Sequence, residues 1–364
     1  MIDVPHDLSS DDYGGNADND HRQIRLNRAA IDYAMQAKAQ WQMSDEAIVA
    51  SGKINGAMTA RGVAHNKAYA KHLDQLNEPY QQLDARAMTE VTGTRCYRQG
   101  LYSPGTVMLQ PALYIRNLAA GIESNRVRIH ESSPVMSLER QGNVWQARTP
   151  QGLLSAPKVI LTVNGHLQSF GYYQQHLVHV FTYGSMTRSL TSAEVKTLGG
   201  ESNWALTPAD PLGTTVRRVS GTGGDRIIIR NRATYDPSLS VGEQRIEQIG
   251  TTHDQSFSNR FPMLKQVEMQ YRWGGRLCLS RNSVSVFEEV ENNLFAACCQ
   301  NGLGTAKGTI SGKLIAEYAS GQQSNLLNDQ LADTGVLKLP PAPIAKVGAS
   351  LRLKWGEFRA GKEL

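Results

Sequence analysis

The sequence predicts an α/β fold in two domains, and three observations carry that prediction. Residues 158–163 (KVILTV) are an almost unbroken apolar run, the pattern of a parallel strand covered on both faces. Residues 294–298 (LFAAC) are a second such run, and they feed a glycine-punctuated turn and a helical stretch, GLGTAKGTISGKLIAE. Between them, residues 171–270 contain alternating segments and a strong hairpin signal, as a mixed half-buried sheet would. At 364 residues the chain can bury a large core and divide it between two domains.

Taken in order, residues 1–20 are polar and turn-rich, with Gly14-Gly15 among many Asp. Residues 21–42 read as a helix whose apolar stripe includes Ile24, Ala30, Ile31, Ala34, Met35 and Trp41. GKING (52–56) reads as a turn. A second amphipathic helix spans 66–77, with Tyr69, Leu73 and Leu76 on one face. Asp84 is placed to cap a short helix, AMTEV, and Pro111 to open a helix running to Ala120. VRIHE, PVMSLERQ and VWQART read as a meander of short strands, with turns at 141–143 and 150–152, before KVILTV. KVILTV ends at Asn164-Gly165, beyond the strand's carboxyl end, where open α/β sheets bind ligands. VHVFTYGSMTRSL alternates as a strand. TTVRRVSGTGGDRIIIRNR (214–232) reads as a hairpin through Gly221-Thr222-Gly223-Gly224. A helix follows within 241–262, then a strand near 267–271. From residue 331 a Pro-rich and then basic tail is expected to wrap the surface.

Composition narrows the function classes. The formal charge of +5 is mild and its arginines and lysines are scattered, apart from Arg217-Arg218 and the tail. No nucleic-acid-binding module accompanies them, so a nucleic-acid partner is not expected. No apolar run approaches the ~20 residues of a membrane span. The acidic N-terminus lacks a secretory pattern. Cys96, Cys278, Cys298 and Cys299 are no disulfide framework in so long a chain, which fits a reducing cytoplasm. No metal is expected. His176-x-x-His179 has no carboxylate or thiol beside it, and Cys298 and Cys299 point to opposite faces of a strand.

The chemistry concentrates between residues 271 and 312. Gly302, Gly304, Gly308 and Gly312 punctuate a strand–turn–helix, where free N–H groups and the positive end of the helix dipole can meet an anion or a ring edge. The spacing is G-x-G-x-x-x-G, neither the dinucleotide fingerprint nor a Walker loop, and it also suits a tight turn with small residues for helix packing.

YRWGGRLCLSRN followed by NLFAACCQNGLGTAKGTISGKLIAE resembles the C-terminal flavin segment of FAD-dependent amine and amino-acid oxidoreductases, the D-amino-acid oxidase, glycine oxidase and sarcosine oxidase superfamily. MIDVPHD, VTGTRCYRQGLYSPGTVMLQPALYIRNLA and APKVILTVNGH match upstream segments in the same order, and the branch most resembled is gamma-glutamylputrescine oxidoreductase-like. The resemblance implies a Rossmann-like FAD-binding domain from residues 1–20, 105–170 and 271–325. It implies an interleaved mixed-sheet substrate domain from 21–104 and 171–270, leaving 326–364 as the tail. In relatives a strand, a G-x-G-x-x-G turn, a helix and a second strand precede the segment like MIDVPHD. None precedes Met1, so the expectation is a chain lacking the N-terminal βαβ, holding FAD weakly and poorly soluble.

The resemblance also implies roles. The flavin would meet Val135, Asn164, Gly165 and the turn Gly302, Leu303, Gly304 and Thr305. Arg276 would sit near the flavin or the substrate's acidic end, with Arg281 and Asn282 on the following loop. His6 would lie on the substrate side, and His166, which follows Asn164-Gly165 at the strand's carboxyl end, is a further candidate. Lys307 lies near where relatives place a cation, and Cys278 in the region where some relatives tether their flavin. Tyr102 and Trp273 could wall an amine by cation–π attraction. The implied reaction oxidises the C–N bond of an amine or amino acid, such as a gamma-glutamyl amine, to an imine and then a carbonyl compound. Oxygen or another electron acceptor would complete the cycle. Two rivals remain open: a non-catalytic fragment or partner subunit that keeps the fold without tight FAD binding, and an amine-binding protein without redox chemistry.

Overall fold

The computed structural model describes residues 1–4 and 17–364. Among the described residues it is an α/β assembly of one large sheet, three smaller ones and packed helices. The large sheet has eight strands, in the spatial order Met269–Ser280, Leu177–Thr187, Arg226–Tyr235, Thr215–Val219, Trp204–Pro208, Lys53–Ala57, Gln99–Ser103 and Gln81–Asp84. Trp204–Pro208 and Lys53–Ala57 pair in parallel, and the other neighbours pair antiparallel. Alternation divides its side chains cleanly. Ile54, Leu206, Val216, Ile227 and Ile229 form a core with Phe257 and Phe261 from the end of the helix Glu243–Arg260. Arg217, Ile228 and Arg230 point to the opposite face.

One small sheet is Val286–Glu291, Leu294–Cys298 and Val159–Leu161, the last two parallel. Leu294–Cys298 is central and buried throughout, which explains its apolar sequence. On one side Phe295 and Ala297 pack against Ile315 and Ala319 of the helix Gly304–Ala319. On the other, Leu294, Ala296 and Cys298 join Trp145 of a three-stranded meander, Ser137–Gln141, Val144–Thr149 and Gly152–Ala156. The helix Ala17–Gln40 presses Leu26, Ala30 and Ala34 into a core shared with Ala306, Ile310 and Leu314, its alanines allowing close approach.

Several local expectations hold. The helix Ala85–Thr92 is capped by Asp84, whose carboxylate accepts from the Ala87 N–H at 2.8 Å. Pro111 opens the helix Pro111–Ile122. The second helix starts earlier than its apolar stripe suggests, at Ala60, because Thr59 caps it.

Others are corrected. GKING is not a turn but mostly the buried strand Lys53–Ala57, and the left-handed residue that introduces it is Gly52 (φ 67°). VRIHE forms no strand. The KVILTV strand is only Val159–Leu161 and is not covered on both faces. Among the described residues it pairs on one side alone, and Ile160 is 38 % exposed. The expected domain boundary at 271 falls inside a strand that stays in the large sheet as far as Ser280. The tail lies on the surface as the helix Ala342–Ala360, a helix the sequence reading did not assign, and ends buried. Glu363 accepts hydrogen bonds from the N–H groups of Met58 (2.8 Å) and Thr59 (2.7 Å), and Arg260 holds its carbonyl (2.6 Å). Among the described residues, no helix is long and apolar enough to cross a membrane.

Candidate active site

Parallel pairing brings the carboxyl ends of Val159–Leu161 and Leu294–Cys298 out together, and the chain then makes a knot of left-handed residues. Asn164 (φ 49°), Cys299 (φ 58°), Asn301 (φ 50°) and Gly302 (φ 79°) all adopt that conformation. Asparagine and glycine tolerate it best. The Asn164 side chain accepts from the Cys299 N–H at 3.2 Å. Asn301 accepts from the Ser280 N–H at 2.8 Å and donates to the Cys299 carbonyl at 3.0 Å. Two asparagines therefore lock the turn to both neighbouring strand ends.

Beyond the knot the helix Gly304–Ala319 begins with no side-chain cap. A Cβ built on Gly304, Gly308 or Gly312 would meet nothing within 4 Å, and one on Gly302 would meet only Leu277 Cδ1, at 4.0 Å. Gly302 and Thr305 are exposed, and Leu303 is half-buried. The turn is thus an open, dipole-positive cradle. Its left-handed residue is Gly302; Gly304 carries no positive φ and needs its missing side chain only for whatever approaches from outside.

Arg276 lies on the strand Met269–Ser280, and its Nη1 donates to His166 Nε2 at 2.5 Å. The pair is exposed. The bond uses the Nε2 lone pair, so a single imidazole proton belongs on Nδ1. Gly165 faces inward: an added Cβ would lie 2.9 Å from His179 Nδ1. His179 bonds Gln168 at 2.7 Å, and burial, then the neighbouring His166, lowers its pKa. Cys278 is buried, and its hydrogen bond to Cys299 together with burial pushes the thiol well up, the opposite of what a tethering thiolate needs.

Trp273 and Arg276 do not share a wall. Three residues apart on a regular strand, they point to opposite faces. Arg272, on the Arg276 side, pairs with Asp254 of the helix Glu243–Arg260 at 2.8 Å. Trp273 lies on the other face, over Gly184: a Cβ there would stand 2.6 Å from the indole Cζ2. The same cross-strand row continues through Arg230 to Thr215.

Two residues of this face, Arg217 and Arg230, escaped the sequence reading as site residues. Arg217 donates to the Leu109 carbonyl (3.2 Å) and Arg230 to the Thr215 hydroxyl (3.0 Å). Among the described residues neither pairs with a carboxylate. Arg230 keeps contact with solvent, yet enough protein encloses it that burial, then the charge of Arg217, lowers its pKa; burial alone lowers that of Arg217. A guanidinium stays protonated in proteins, so both residues remain cations. A signal was present in RIIIR, which puts Arg226, Ile228 and Arg230 on one face of a strand.

Other candidates lie elsewhere. Tyr102 is six strand steps from Met269–Ser280, about 29 Å along the sheet. It sits on the core side, with its hydroxyl on the Ser51 carbonyl at 3.2 Å. Val135 is 42 % exposed ahead of the meander. Lys307 is half-buried, and the Asp333 charge partly offsets the lowering of its pKa by burial. Asn282 bonds the tail at Gly335 and Leu337. His6 lies outside the described residues. Among the described residues no group of three potential ligands could hold a metal.

These features fit the ring end of a flavin. Asn164 and the 302–305 turn would hold it, with open space where side chains would otherwise stand and free N–H groups beside it. The sequence contains no G-x-G-x-x-G turn for the pyrophosphate.

The chain matches the family model DAO, described as FAD dependent oxidoreductase, over residues 8–318. It is similar to the probable oxidoreductase OrdL of Haemophilus influenzae, 21 % identical over 258 residues, covering 67 % of this chain and 54 % of that protein. The OrdL of Rhizobium meliloti is 22 % identical over 283 residues, covering 76 % of this chain and 62 % of that protein. The matched part thus spans little more than half the length of these relatives. Glycine oxidase from Geobacillus kaustophilus has the same fold, with a TM-score of 0.71 at 16 % identity, covering 90 % of this chain and 87 % of that one. L-proline dehydrogenase from P. horikoshii superposes with a TM-score of 0.66 at 13 % identity, covering 89 % and 83 %. The family match spans most of the chain and the fold agrees with it: the chain belongs to the DAO family of FAD-dependent oxidoreductases.

Proposed function

We propose that this protein oxidises the C–N bond of an amino acid, or of an amine bearing a carboxylate, to an imine that hydrolyses to a carbonyl compound. The observation that carries the substrate class is the pair Arg217 and Arg230. Among the described residues neither guanidinium has a carboxylate partner; Arg217 is half-buried and Arg230 exposed, on the sheet face that also presents Trp273 over Gly184. A substrate carboxylate would pair bidentately with guanidiniums placed diagonally across two neighbouring strands. The indole supplies an apolar floor and a cation–π partner for an ammonium group. Leu277, on the Trp273 face, approaches Gly302, so this face borders the glycine turn.

FAD, when bound, supplies the two-electron acceptor for the carbon that bears the nitrogen. The chain's own contribution is positional and electrostatic. The uncapped amides of Gly304–Ala319 would favour negative charge on a flavin ring held at this turn. Asn164 and Asn301 keep those amides in place. Arg276 occupies the His166 lone pair, so this imidazole accepts a proton from substrate only if the pair opens. The gamma-glutamyl amines suggested by the resemblance carry a suitable carboxylate, and oxygen is the acceptor we infer on the same resemblance.

The test is anaerobic flavin reduction in the FAD-loaded protein, scanned over amino acids, gamma-glutamyl amines and the same skeletons without a carboxylate. Carboxylate-bearing substrates should reduce the flavin fastest; equal rates for the decarboxylated set would remove the two arginines from the argument. A second reading is a chain that keeps the fold without tight FAD binding. The flavin-to-protein absorbance ratio after desalting decides between them.

A further inference from the structure

The helix Ala342–Ala360 lies beyond the 8–318 stretch that matches the family, and it has two contrasting faces. Its inner face carries Ala345, Ala349, Leu353, Gly356 and Ala360 and packs on the large sheet. Gly356 abuts Leu212, where a Cβ would stand 2.4 Å from Cδ1. Glu357, the helix's sole acid, turns inward to Arg232 (2.9 Å) and the Ala233 N–H (3.3 Å). The outer face carries Ile344, Val347, Leu351, Trp355 and Phe358, exposed by 63, 59, 62, 61 and 76 %. Steps of three and four residues place all five in one stripe along the helix. Trp355 and Phe358 stack on each other there, with ring centroids 5.8 Å apart.

At 100° per residue, Lys354 flanks this stripe on one side and Arg352 on the other, and both are exposed. No acid interrupts it. An apolar stripe edged by cations, with aromatics at one end, is the pattern of a helix that lies in the headgroup layer of a membrane. Two rival occupants fit less well. A second copy packed through the same stripe would set Lys354 and Arg352 against their own like charges. A protein groove that grips a helix needs more of its circumference than a helix pinned to a sheet can offer. A flat anionic surface needs only the outer arc.

We propose that the helix Ala342–Ala360 docks this protein onto anionic lipid surfaces. Ile344, Val347, Leu351, Trp355 and Phe358 enter the interface, and Lys354 and Arg352 lie at the headgroup level. The binding is peripheral.

The full chain would be mixed with vesicles of phosphatidylcholine alone or with added phosphatidylglycerol, and vesicle-bound protein separated by flotation. Binding is expected only with the anionic vesicles, and it should weaken as salt rises. Leu351→Glu should abolish it. Lys354→Glu, which removes one favourable charge and adds an unfavourable one, should weaken partitioning on the order of tenfold. Both positions are exposed, so thermal melting should be unchanged, and Trp355→Ala serves as a variant of lower charge risk. Wild-type protein that stays unbound with both vesicles overturns the proposal, as does binding that survives Leu351→Glu. A lipid-free dimer that Leu351→Glu converts to monomer, without vesicle binding in either form, overturns it in favour of a second copy.

Discussion

Replacing Arg230 by methionine separates binding from folding in a way that the structure makes quantitative. The substitution keeps an unbranched apolar stem and removes the guanidinium. A charge-assisted hydrogen bond to a carboxylate contributes about 1.5–3 kcal/mol, so kcat/KM for a carboxylate-bearing substrate should fall about 10- to 150-fold. Arg217 stands diagonally across the strand pair and can hold the carboxylate alone, which favours the lower end of that range. Stability should move the other way. Arg230 has no carboxylate partner among the described residues, and it faces the like charge of Arg217. Losing it relieves repulsion and forfeits one bond to the Thr215 hydroxyl. Urea unfolding should therefore show no loss beyond about 0.5 kcal/mol, the range of an uninvolved site. The kinetic assay compares an amino acid with its decarboxylated amine, in wild type and variant. An equal fall for both substrates, or a marked loss of stability with kinetics intact, would refute the reasoning.

Three further outcomes follow from named contacts. Gly302→Ala should destabilise by about 1–2 kcal/mol in urea because φ is 79° there, whereas Gly304→Val should leave stability nearly unchanged yet lose flavin on desalting; a yellow Gly304→Val protein contradicts the cradle. Glu363→Ala strands the buried N–H groups of Met58 and Thr59 and should cost about 2–5 kcal/mol; an unchanged urea midpoint means that the tail is not anchored as described. Burial lowers Lys53 from 10.5 to about 8, with Asp3 opposing the shift. Between those pH values the unfolded chain holds the proton more tightly, so stability should rise with pH across that window, by roughly 3 kcal/mol. Lys53→Met should flatten that rise, read as the difference between the two stability–pH curves; parallel curves exclude Lys53 as its source.

The sequence by itself determined the local pieces. Asp84 and Pro111 marked helix starts because caps and first turns are local chemistry. The LFAAC run gave a strand buried on both faces, and the glycine turn was placed where a strand meets a helix. The opposite-facing placement of Trp273 and Arg276 was also available, since an odd spacing on a strand decides it. The KVILTV run misled because an apolar composition does not say how many neighbours a strand finds. The tail helix was hidden by Gly348 and Gly356, residues of low helix propensity that its packing overrides, although Pro341 and Pro343 stand at its N-cap and first turn. Only the tertiary structure set Trp273, Gly184, Arg230 and Thr215 in one row. That row needs the register of four strands drawn from residues 177 to 280, and register depends on long-range pairing that no local pattern encodes. For the same reason Tyr102 could be matched to a motif yet lie across the sheet. Arg217 and Arg230 became candidates only when their carboxylate partners could be sought in three dimensions, because what marks a binding arginine is the company it lacks.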